Sequence, residues 1–557
     1  MDWTKRDSGT TVREVVMHNS GMTEEELASP KSYAPDTVQN LVQAAEMVRC
    51  AISQGTPISI MGDYDADGIT ASSILYLTLK ALGVIPTVRL PRRMSEGYGL
   101  STNAVREFSK GLLITVDNGI AAHEAIAEAK RLGFQVIIMD HHLPAETLPP
   151  ADILVDPHAF PVEDGFEDYC GAGLAYKLAE ILLDDPDLLD SLCCLAAVGT
   201  VADSVPLRGD NRYIVKRGLQ AIRRKRGPIG LNTLVSVAEI YECNEKDIGF
   251  RLGPMLNAAG RMYDDGARYS FDALTADNEE DAKVLCEQLV KINEERKEST
   301  LRNMEYVEGI IQDDCLYGDV PLVVVADGMQ EGIVGIITGR LAEKYKVPTF
   351  VLTDSETPSI FKGSGRTYGD VNLKTDILDK VSGLLLHGGG HAAAAGITVE
   401  AGNLNSLVAA MHHAMDGYVP KEQDVLEYDL SIPANSIEET WRELERYAPY
   451  GEGNPEPVFL VPDVILSPKA GEIAKYMGKQ AEHVKLYGPG FSAVCFGRSA
   501  DYRNMGCPSH LDFIGTLSRN VFRYSAEIQL ETIDFRKTPS KAGTTSLLDA
   551  LKKNGTI

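Results

Sequence analysis

The stretch that decides the fold is Pro57-Ile58-Ser59-Ile60-Met61-Gly62-Asp63-Tyr64-Asp65-Ala66-Asp67-Gly68. Its first half is a short apolar run, which predicts a buried strand, and a helical pattern follows the acidic loop over 69–82. Similar apolar runs occur at 111–116, 135–139 and 151–155. Short apolar runs that alternate with helical patterns predict βαβ units and a parallel sheet buried on both faces.

The chain is too long for a single hydrophobic core, because it has 557 residues. Its pattern predicts an α/β multidomain protein, with a mostly helical middle and a second α/β unit that begins at an apolar run. The predicted segments are an N-terminal helical segment at 1–45, a parallel-sheet domain at 46–210, a helical connector at 211–318, a smaller α/β domain at 319–420, an all-β segment at 425–537 and a polar tail at 538–557.

The composition predicts a protein of a reducing cytoplasm. The sequence contains no apolar run of transmembrane length, and residues 1–12 lack the apolar stretch of a secretory signal. The nine cysteines are scattered and form no CxxC pair. This pattern favours neither a disulfide framework nor a cysteine zinc site.

The acidic balance argues against a protein that coats nucleic acid non-specifically. The net charge is −26 and the sequence pI is about 4.9, whereas contacts to phosphate need Lys and Arg. An enzyme with a local basic channel remains compatible with this charge. Basic residues cluster between Arg212 and Arg226, and that stretch fits either such a channel or one solvated face of a helix.

Four polar clusters follow successive predicted elements of the first α/β domain. Three of them follow apolar runs, and the fourth follows an apolar helix. Because ligands bind at the carboxyl edge of an open parallel sheet, these clusters are expected to meet there. They are Asp63-Tyr64-Asp65-Ala66-Asp67-Gly68, Asp117-Asn118-Gly119, Asp140-His141-His142 and Asp203 after Gly199-Thr200-Val201-Ala202.

Each cluster alone has a simpler explanation. The first resembles the start of an EF-hand loop, but its twelfth position is Ile74, where calcium binding needs Glu, and the loop follows a strand. An isolated Asp such as Asp117 is usually a helix cap, and adjacent histidines are usually surface or core residues. Four such clusters at one edge, however, would concentrate negative charge that only cations can neutralise.

The ligand types indicate which cations and which chemistry. Carboxylates with imidazole and no thiolate suit Mn²⁺ or Mg²⁺ better than structural zinc. Two such ions about 3.5–4 Å apart can activate a water and clamp the attacking and leaving oxygens of a phosphoester. The sequence contains neither a GxSxG nor a Walker A motif. These features predict metal-assisted phosphoester hydrolysis.

The third cluster resembles the signature of the DHH phosphoesterase family, and all four clusters occur in that family's order. Further blocks resemble the RecJ subfamily and its DHHA1 and OB domains. They are residues 96–100, 253–262, 363–366, 388–396 and 450–457. The resemblance implies a parallel-sheet DHH domain, a long helical connector, a smaller α/β DHHA1 domain and a C-terminal β-barrel of the OB type.

The resemblance also implies roles for single residues. Asp117 would bridge two metal ions, Asp140 would orient the His141 ring, and His142 would stabilise charge on the substrate phosphate or donate a proton to it. The implied metal ligands are Asp65, Asp67, Asp117, His141 and Asp203, with Asp63 as a further candidate, and together with Asp140 and His142 the five ligands form the implied catalytic set. The residues implied to hold nucleic-acid phosphates are Arg261, Ser364, Arg366, Gly389, Gly390 and His391.

The implied activity is that of a 5′→3′ exonuclease that degrades single-stranded DNA in recombination and repair, with two Mn²⁺ or Mg²⁺ ions. The implied partner is a strand with a 5′ end, with a single-strand-binding protein and a helicase as further candidates, and the implied state is a monomer away from membranes. Tyr502, Phe522 and Tyr524 are candidates for stacking on bases, or for the core of the all-β segment.

Two other interpretations stay open. A non-catalytic relative that acts as a replication scaffold would have eroded motifs, whereas the Asp and His set here is intact. A DHH enzyme for short oligonucleotides would lack the C-terminal all-β segment, and an RNA substrate also fits, because no residue obviously reads the 2′-hydroxyl. The sequence departs from the RecJ pattern at Met329-Gln330-Glu331, where relatives often carry Trp-His.

Overall fold

A computed structural model describes residues 2–163, 165–355, 357–419, 425–523 and 525–539. Tyr524 and most of the predicted polar tail therefore lie outside the described residues. The chain divides into two compact units. The larger unit comprises Ser32–Val205 and Gly209–Glu422, and the smaller unit comprises Met1–Lys31, Pro206–Arg208 and Gln423–Ile557.

The helices and strands are numbered in chain order. Those before residue 206 are β1 (Asp2–Lys5), α1 (Val12–Ser20), α2 (Glu24–Ala28), α3 (Leu41–Gln54), β2 (Ile58–Met61), α4 (Ala66–Ala81), β3 (Thr87–Arg89), α5 (Thr102–Glu107), β4 (Leu112–Val116), α6 (His123–Leu132), β5 (Gln135–Met139), β6 (Ile153–Val155), α7 (Gly171–Leu182) and α8 (Pro186–Ala202).

The rest of the larger unit follows. Its elements are α9 (Gly209–Arg223), α10 (Ile229–Val237), α11 (Glu245–Asp247), α12 (Gly253–Met262), α13 (Ala267–Leu274), α14 (Glu279–Asp313), β7 (Leu322–Val325), α15 (Glu331–Tyr345), β8 (Thr349–Asp354), β9 (Ile360–Arg366), α16 (Asp379–Val381), β10 (His387–Gly390), β11 (Ala394–Glu400) and α17 (Leu404–Ala414).

The C-terminal elements belong to the smaller unit. They are β12 (Val425–Tyr428), β13 (Leu430–Ser431), α18 (Ile437–Glu445), β14 (Phe459–Ile465), β15 (Ala474–Met477), β16 (His483–Gly488), β17 (Phe491–Cys495), α19 (Ser499–Asn504), β18 (His510–Phe522) and β19 (Ser525–Lys537). Within the described ranges, no helix combines the length and the apolar character needed to cross a membrane.

The first sheet of the larger unit is wholly parallel, which confirms the prediction. Its strand order is β3-β2-β4-β5-β6, and every residue of β2 and β4 is buried. Because the chain leaves β2 for β3 on one side and returns to β4 on the other, the strand order reverses between β2 and β4. Ligands bind in the crevice at the carboxyl end of such a reversal.

The middle of the larger unit is helical, as predicted. It runs from α9 to α14, and α14 alone has 35 residues. Asn278 caps α14 by accepting a hydrogen bond from the Asp281 amide, and three acidic residues occupy the first turn. Helices α12, α14 and α15 pack against one another, so the helical middle adjoins the second sheet.

The second sheet is the core of the smaller α/β domain, which is also confirmed. Its order is β10-β11-β9-β8-β7, with β7 and β8 parallel and the remaining pairs antiparallel. Gly389, Gly396 and Ser364 are register partners across β10, β11 and β9. Directly paired residues point to the same face of a sheet, so this row has no side chain beyond Ser364.

The smaller unit contains an OB-type sheet, but the expected closed barrel is not observed. The seven strands are ordered β13-β14-β18-β19-β17-β16-β15. Among the described residues, β13 pairs only with β14 and β15 only with β16, so these two strands end the order. Closure fails for a simple reason, because β13 is two residues long and offers too few groups to pair with another strand.

The start of the chain belongs to the smaller unit. Strand β1 pairs in parallel with β12, and α1 packs against α18. The N-terminal segment predicted to be helical therefore also contains a strand. The domain limits predicted from the sequence stay predictions.

Candidate active site

The loop after β2 and the first turn of α4 hold three carboxylates. Asp65 caps α4, because its Oδ1 accepts hydrogen bonds from the amides of Asp67 and Gly68, both at 3.0 Å. Asp67 accepts hydrogen bonds from the amides of Gly171 and Ala172 at 2.6 and 2.9 Å, at the N-terminus of α7. Helix termini thus fix the orientation of both carboxylates.

The His141 ring lies among three carboxylates from three other elements. Its Nε2 is 3.0 Å from Asp117 Oδ1, 3.7 Å from Asp203 Oδ2 and 3.8 Å from Asp67 Oδ2. Asp117 follows β4 with a φ of 61°, in the left-handed region that a non-glycine residue rarely adopts. The carboxyl edge of the sheet therefore gathers all four predicted clusters in one place.

The charges of this cluster repel one another. Burial, and then the charges of neighbouring carboxylates, raise the pKa of Asp63 and of Asp117 well above the ordinary range. The same causes raise the pKa of Asp203 to about 8. Burial lowers the pKa of His141, which favours the neutral ring that a metal requires. Such a set is stable in its ionised form only if cations share the site.

The side chains fit a pair of divalent cations. Their ligand atoms lie within 4.8 Å of one another in three groups, and Asp117 belongs to two of these. Asp63 Oδ1 is buried and has no hydrogen-bond partner among the described residues, which indicates a ligand position. The three groups are Asp63 with Asp65 and Asp117, Asp67 with His141 and Asp203, and Asp117 with His141 and His142.

Asp140 orients His142, and the prediction that it orients the His141 ring is wrong. Asp140 Oδ1 accepts a hydrogen bond from His142 Nδ1 at 2.7 Å, whereas it reaches His141 only through the backbone amide. The His141 ring points instead toward Asp117. Burial disfavours a charged ring at His142, but the hydrogen bond and charge of Asp140 outweigh it and raise the pKa of His142 to about 9.

Two residues at this edge were not predicted. The Tyr98 hydroxyl donates a hydrogen bond to the Asp117 carbonyl at 3.0 Å and lies 3.2 Å from His142 Nδ1. Asp156 follows β6, and burial with the nearby charge of Asp140 raises its pKa to about 7. Asp156 directly follows the apolar run at 151–155, and this position in the sequence could have identified it as a site residue.

Arginines gather beside the carboxylates. Arg261, on α12, donates a hydrogen bond to the Gly332 carbonyl at 3.1 Å. Burial, and then the charges of Arg93 and Arg296, lower the pKa of Arg261 to about 9. Arg366 donates to Ser364 Oγ at 2.9 Å, and burial with the charge of Arg93 lowers its pKa. Like charges held together in this way indicate a site for an anion.

Arg93 connects the two sets of charges and was not predicted. Its guanidinium lies 4.4 Å from the centre of the Tyr64 ring, and its charge acts on Asp63 and Asp65 as well as on Arg261. Arg93 lies beyond the end of β3, at the same edge of the sheet as the carboxylates. Because β3 was not recognised in the sequence, the position of Arg93 carried no signal.

Glycines on α15 keep the space around the arginines open. A side chain at Gly332 would collide with the Arg261 backbone. At Gly335, a Cβ atom would lie 3.1 Å from Arg366 Nη2 and 3.2 Å from Ser364 Oγ. Helix α15 can therefore approach both groups closely because it has no side chain at these positions.

Comparison with known proteins places this geometry in a family. Models of the DHH family N-terminal domain, the DHHA1 domain and the RecJ OB domain match residues 57–200, 319–417 and 428–534. A single-stranded-DNA-specific exonuclease RecJ from Haemophilus influenzae is 31% identical, over 81% of this chain and 82% of that protein. The chain belongs to the RecJ family. The RecJ of Bacillus subtilis (strain 168) is 33% identical over 89% of this chain, which spans 63% of that relative's length.

A solved RecJ structure has the same fold. The crystal structure of RecJ in complex with Mn²⁺ from Thermus thermophilus is similar with a TM-score of 0.76 and 28% identity. The similarity covers 97% of this chain and 79% of that chain. The predicted family and fold class are thus confirmed.

The structure also places the remaining predicted residues of this RecJ-family chain. Gly389 lies in the row with Ser364, and Gly390 and His391 lead from β10 into the turn before β11. His391 is exposed. The structure therefore places Arg261 of α12 and Ser364 and Arg366 of β9 against the glycines of α15. The glycine segment is on β10, which β11 separates from β9.

Part of the most basic stretch of the sequence is buried or paired within the fold. Arg212 is fully buried, and Arg217 and Arg226 both pair with Asp190, at 2.8 and 2.7 Å. In the smaller unit, Tyr502 is 1% exposed and packs near Phe535, so it belongs to the core. Phe522 is 52% exposed and remains a stacking candidate, while Tyr524 lies outside the described residues.

Proposed function

We propose that this chain is a metal-dependent exonuclease that hydrolyses single-stranded DNA from the 5′ end. The named relatives are single-stranded-DNA-specific exonucleases. The observation that carries the proposal is the position of Arg93, whose charge acts on Asp63 and Asp65 on one side and on Arg261 on the other. An anion pocket directly beside a cation site suits an enzyme that removes the end of a strand.

Six side chains would hold two Mn²⁺ or Mg²⁺ ions. Asp117 is a member of two of the three groups of possible ligands, which supports its role as a ligand shared by both ions. When bound, the ions would lower the pKa of an attacking water and stabilise negative charge on the phosphoester. The proposed ligands are Asp63, Asp65, Asp67, Asp117, His141 and Asp203.

The neighbouring side chains would orient the substrate. His142, held by Asp140 and close to the Tyr98 hydroxyl, would donate a hydrogen bond to the scissile phosphate. Arg93, Arg261 and Arg366, with Ser364, would bind the terminal phosphate, since arginine matches phosphate oxygens in geometry and charge. The backbone of Gly389, Gly390 and His391 would contact the next part of the strand, where small residues allow close approach.

The position of this pocket also supports the direction of cleavage. Terminal phosphates are the ordinary chemistry of 5′ ends, and a terminal phosphate bound by Arg261 would place the first linkage at the carboxylates. The electrostatic contact between Arg261 and Asp65 supports this arrangement. In the smaller unit, Phe522 with Arg523 at 5.2 Å offers a stacking surface for an unpaired base.

The biological setting follows from the family. We propose that the chain acts as a cytoplasmic monomer in DNA recombination and repair, with a single-strand-binding protein and a helicase as partners. We also propose the domain limits 46–210, 211–318, 319–420 and 425–537.

The test is cleavage of a 5′-phosphorylated single strand labelled at its 3′ end, in the presence of Mn²⁺. We expect stepwise shortening from the 5′ end, no cleavage of the blunt duplex, and no activity in His141→Ala. The matched control is His413→Ala, which replaces an exposed histidine that pairs with Asp416. An RNA strand of the same sequence measures the sugar preference.

Three other outcomes would contradict the proposed function. Cleavage limited to strands of a few nucleotides would establish an enzyme for short oligonucleotides. Binding of the strand without cleavage by the unmodified protein would establish a scaffold relative. Shortening from the 3′ end would contradict the assignment of the arginine pocket to the terminal phosphate.

A further inference from the structure

Five arginines of the larger unit act on one another through their charges, and none of them forms an ion pair with a carboxylate among the described residues. This is unexpected, because the chain has 80 acidic and 54 basic residues. Three of the five belong to the pocket proposed for the terminal phosphate, and two lie outside it. The five are Arg93, Arg261, Arg296, Arg340 and Arg366.

The two remaining arginines belong to helices that pack beside the pocket. Arg296 is on α14 and Arg340 on α15, and these helices pack against α12, which carries Arg261. The charge of Arg296 acts on Arg261, and the charge of Arg340 acts on Arg296. The helices meet beside Arg261. The Tyr263 hydroxyl, two residues after Arg261, donates a hydrogen bond at 3.4 Å to Glu295, the residue before Arg296.

Arg296 has a hydrogen-bond donor without a partner among the described residues. Arg296 Nε is buried and has no hydrogen-bond partner among the described residues. Glu294, the acid whose charge acts on Arg296, pairs with Lys297 at 2.7 Å. A buried donor normally has a partner, so Arg296 Nε indicates a missing ligand that accepts a hydrogen bond.

We propose that Arg296 and Arg340 form a second phosphate subsite beyond Arg261, which receives the additional phosphates of a strand with a 5′-triphosphate end. This inference rests on the proposed function, because it takes Arg261 as a ligand of the terminal nucleotide's phosphate. A monophosphate end would stop at Arg261. The further phosphates of a triphosphate end would extend to Arg296, whose charge acts on Arg261.

The test compares the binding of two single DNA strands that differ only in a 5′-monophosphate or a 5′-triphosphate. Dissociation constants are measured by fluorescence anisotropy in the full-length Asp117→Asn protein without added metal, so that neither cleavage nor metal bound to the triphosphate contributes. We expect the triphosphate strand to bind about tenfold more tightly, on the scale of one charge-assisted hydrogen bond. Adding Arg296→Gln should bring the ratio close to one, and Arg296→Lys should keep part of it.

The matched control is Arg302→Gln, which removes an exposed arginine from the same helix and should leave the ratio unchanged. A ratio of one before Arg296 is replaced, or a ratio that survives Arg296→Gln, would overturn the proposal. A protein with residue 117 intact that binds the triphosphate strand more tightly but cleaves neither strand would refute the proposed function and leave the subsite standing.

Discussion

The larger unit contains two concentrations of like charge, and the fold builds them in different ways. The carboxylate set comes from the ends of neighbouring parallel strands and one helix, between Asp63 and Asp203. The arginine set comes from loops, helices and a strand that are spread from Arg93 to Arg366. One set thus arises from the topology of a single sheet, and the other from packing between distant segments.

The two sets have opposite charges, and each suits a different ligand. Each set is unfavourable alone, as the raised pKa of Asp203 and the lowered pKa of Arg261 show. Carboxylates with a neutral imidazole suit divalent cations, and arginines suit phosphate. The two sets adjoin at Arg93, so a phosphodiester would contact both at once.

The largest effect is expected at the acidic set. Asp117→Asn should reduce cleavage by at least about a thousandfold, because a shared metal ligand contributes several kcal/mol to the transition state. The same change should raise the melting temperature without metal, since it removes one of several repelling buried charges. Scanning calorimetry with EDTA and with Mn²⁺ measures the second effect.

The control for this change is Asp314→Asn, at an exposed position. It should alter neither quantity. A normal rate in Asp117→Asn would remove the basis for a metal site at this edge.

The next effect is expected at the basic set. Arg261→Ala should lower kcat/KM for a 5′-phosphorylated strand by about a hundredfold, because a buried charged partner of the phosphate is lost. A strand with a 5′-hydroxyl should be affected much less. Arg261→Lys serves as the control that keeps the charge without the forked geometry. Equal losses on both strands would mean that Arg261 supports the fold and not the terminal phosphate.

A smaller effect should separate two glycines of α15. Gly335→Ala places a methyl group 3.1 Å from Arg366 Nη2, so KM should rise about fivefold while kcat stays the same. Gly339→Ala is the matched control, because its nearest contact would be the Arg366 Cγ atom at 3.9 Å. Both changes should stabilise the helix by a similar amount. Equal KM values in the two variants would show that the space beside Arg366 is not used.

The smallest effect is expected at Tyr98, which carries no charge. Tyr98→Phe removes the hydrogen bond to the Asp117 carbonyl and the hydroxyl beside His142. We expect kcat to fall about threefold, on the scale of one neutral hydrogen bond. Tyr64→Phe, which keeps the ring under Arg93, is the comparison, and steady-state kinetics decides between the two. A larger loss at Tyr64 than at Tyr98 would shift the hydroxyl role to Tyr64.

The acidic set could be predicted from the sequence because parallel strands place their carboxyl ends together. Asp65, Asp117 and His141 each follow an apolar run or its loop, so their proximity follows from the topology alone. The confirmed parallel sheet has the same origin, since continuous apolar runs are typical of strands buried on both faces.

Side-chain directions could not be predicted. Asp140 lies next to both histidines in sequence, and only the rotamers decided that it bonds the His142 ring while His141 turns toward Asp117. Barrel closure in the smaller unit failed for a related reason, because the pairing of short strands such as β13 depends on their neighbours in space.

The sequence by itself determined the parallel sheet, the family and the acidic residues at the sheet edge, because these depend on local periodicity and on order along the chain. Only the tertiary structure decided which arginines act together. The stretch from Arg212 to Arg226 is basic in sequence, yet Asp190 neutralises part of it, while Arg93, Arg261 and Arg296 are far apart in sequence and meet. The sequence shows which charged residues are neighbours along the chain. The electrostatic interaction between two charges depends on their distance in space, and only the folded chain sets that distance.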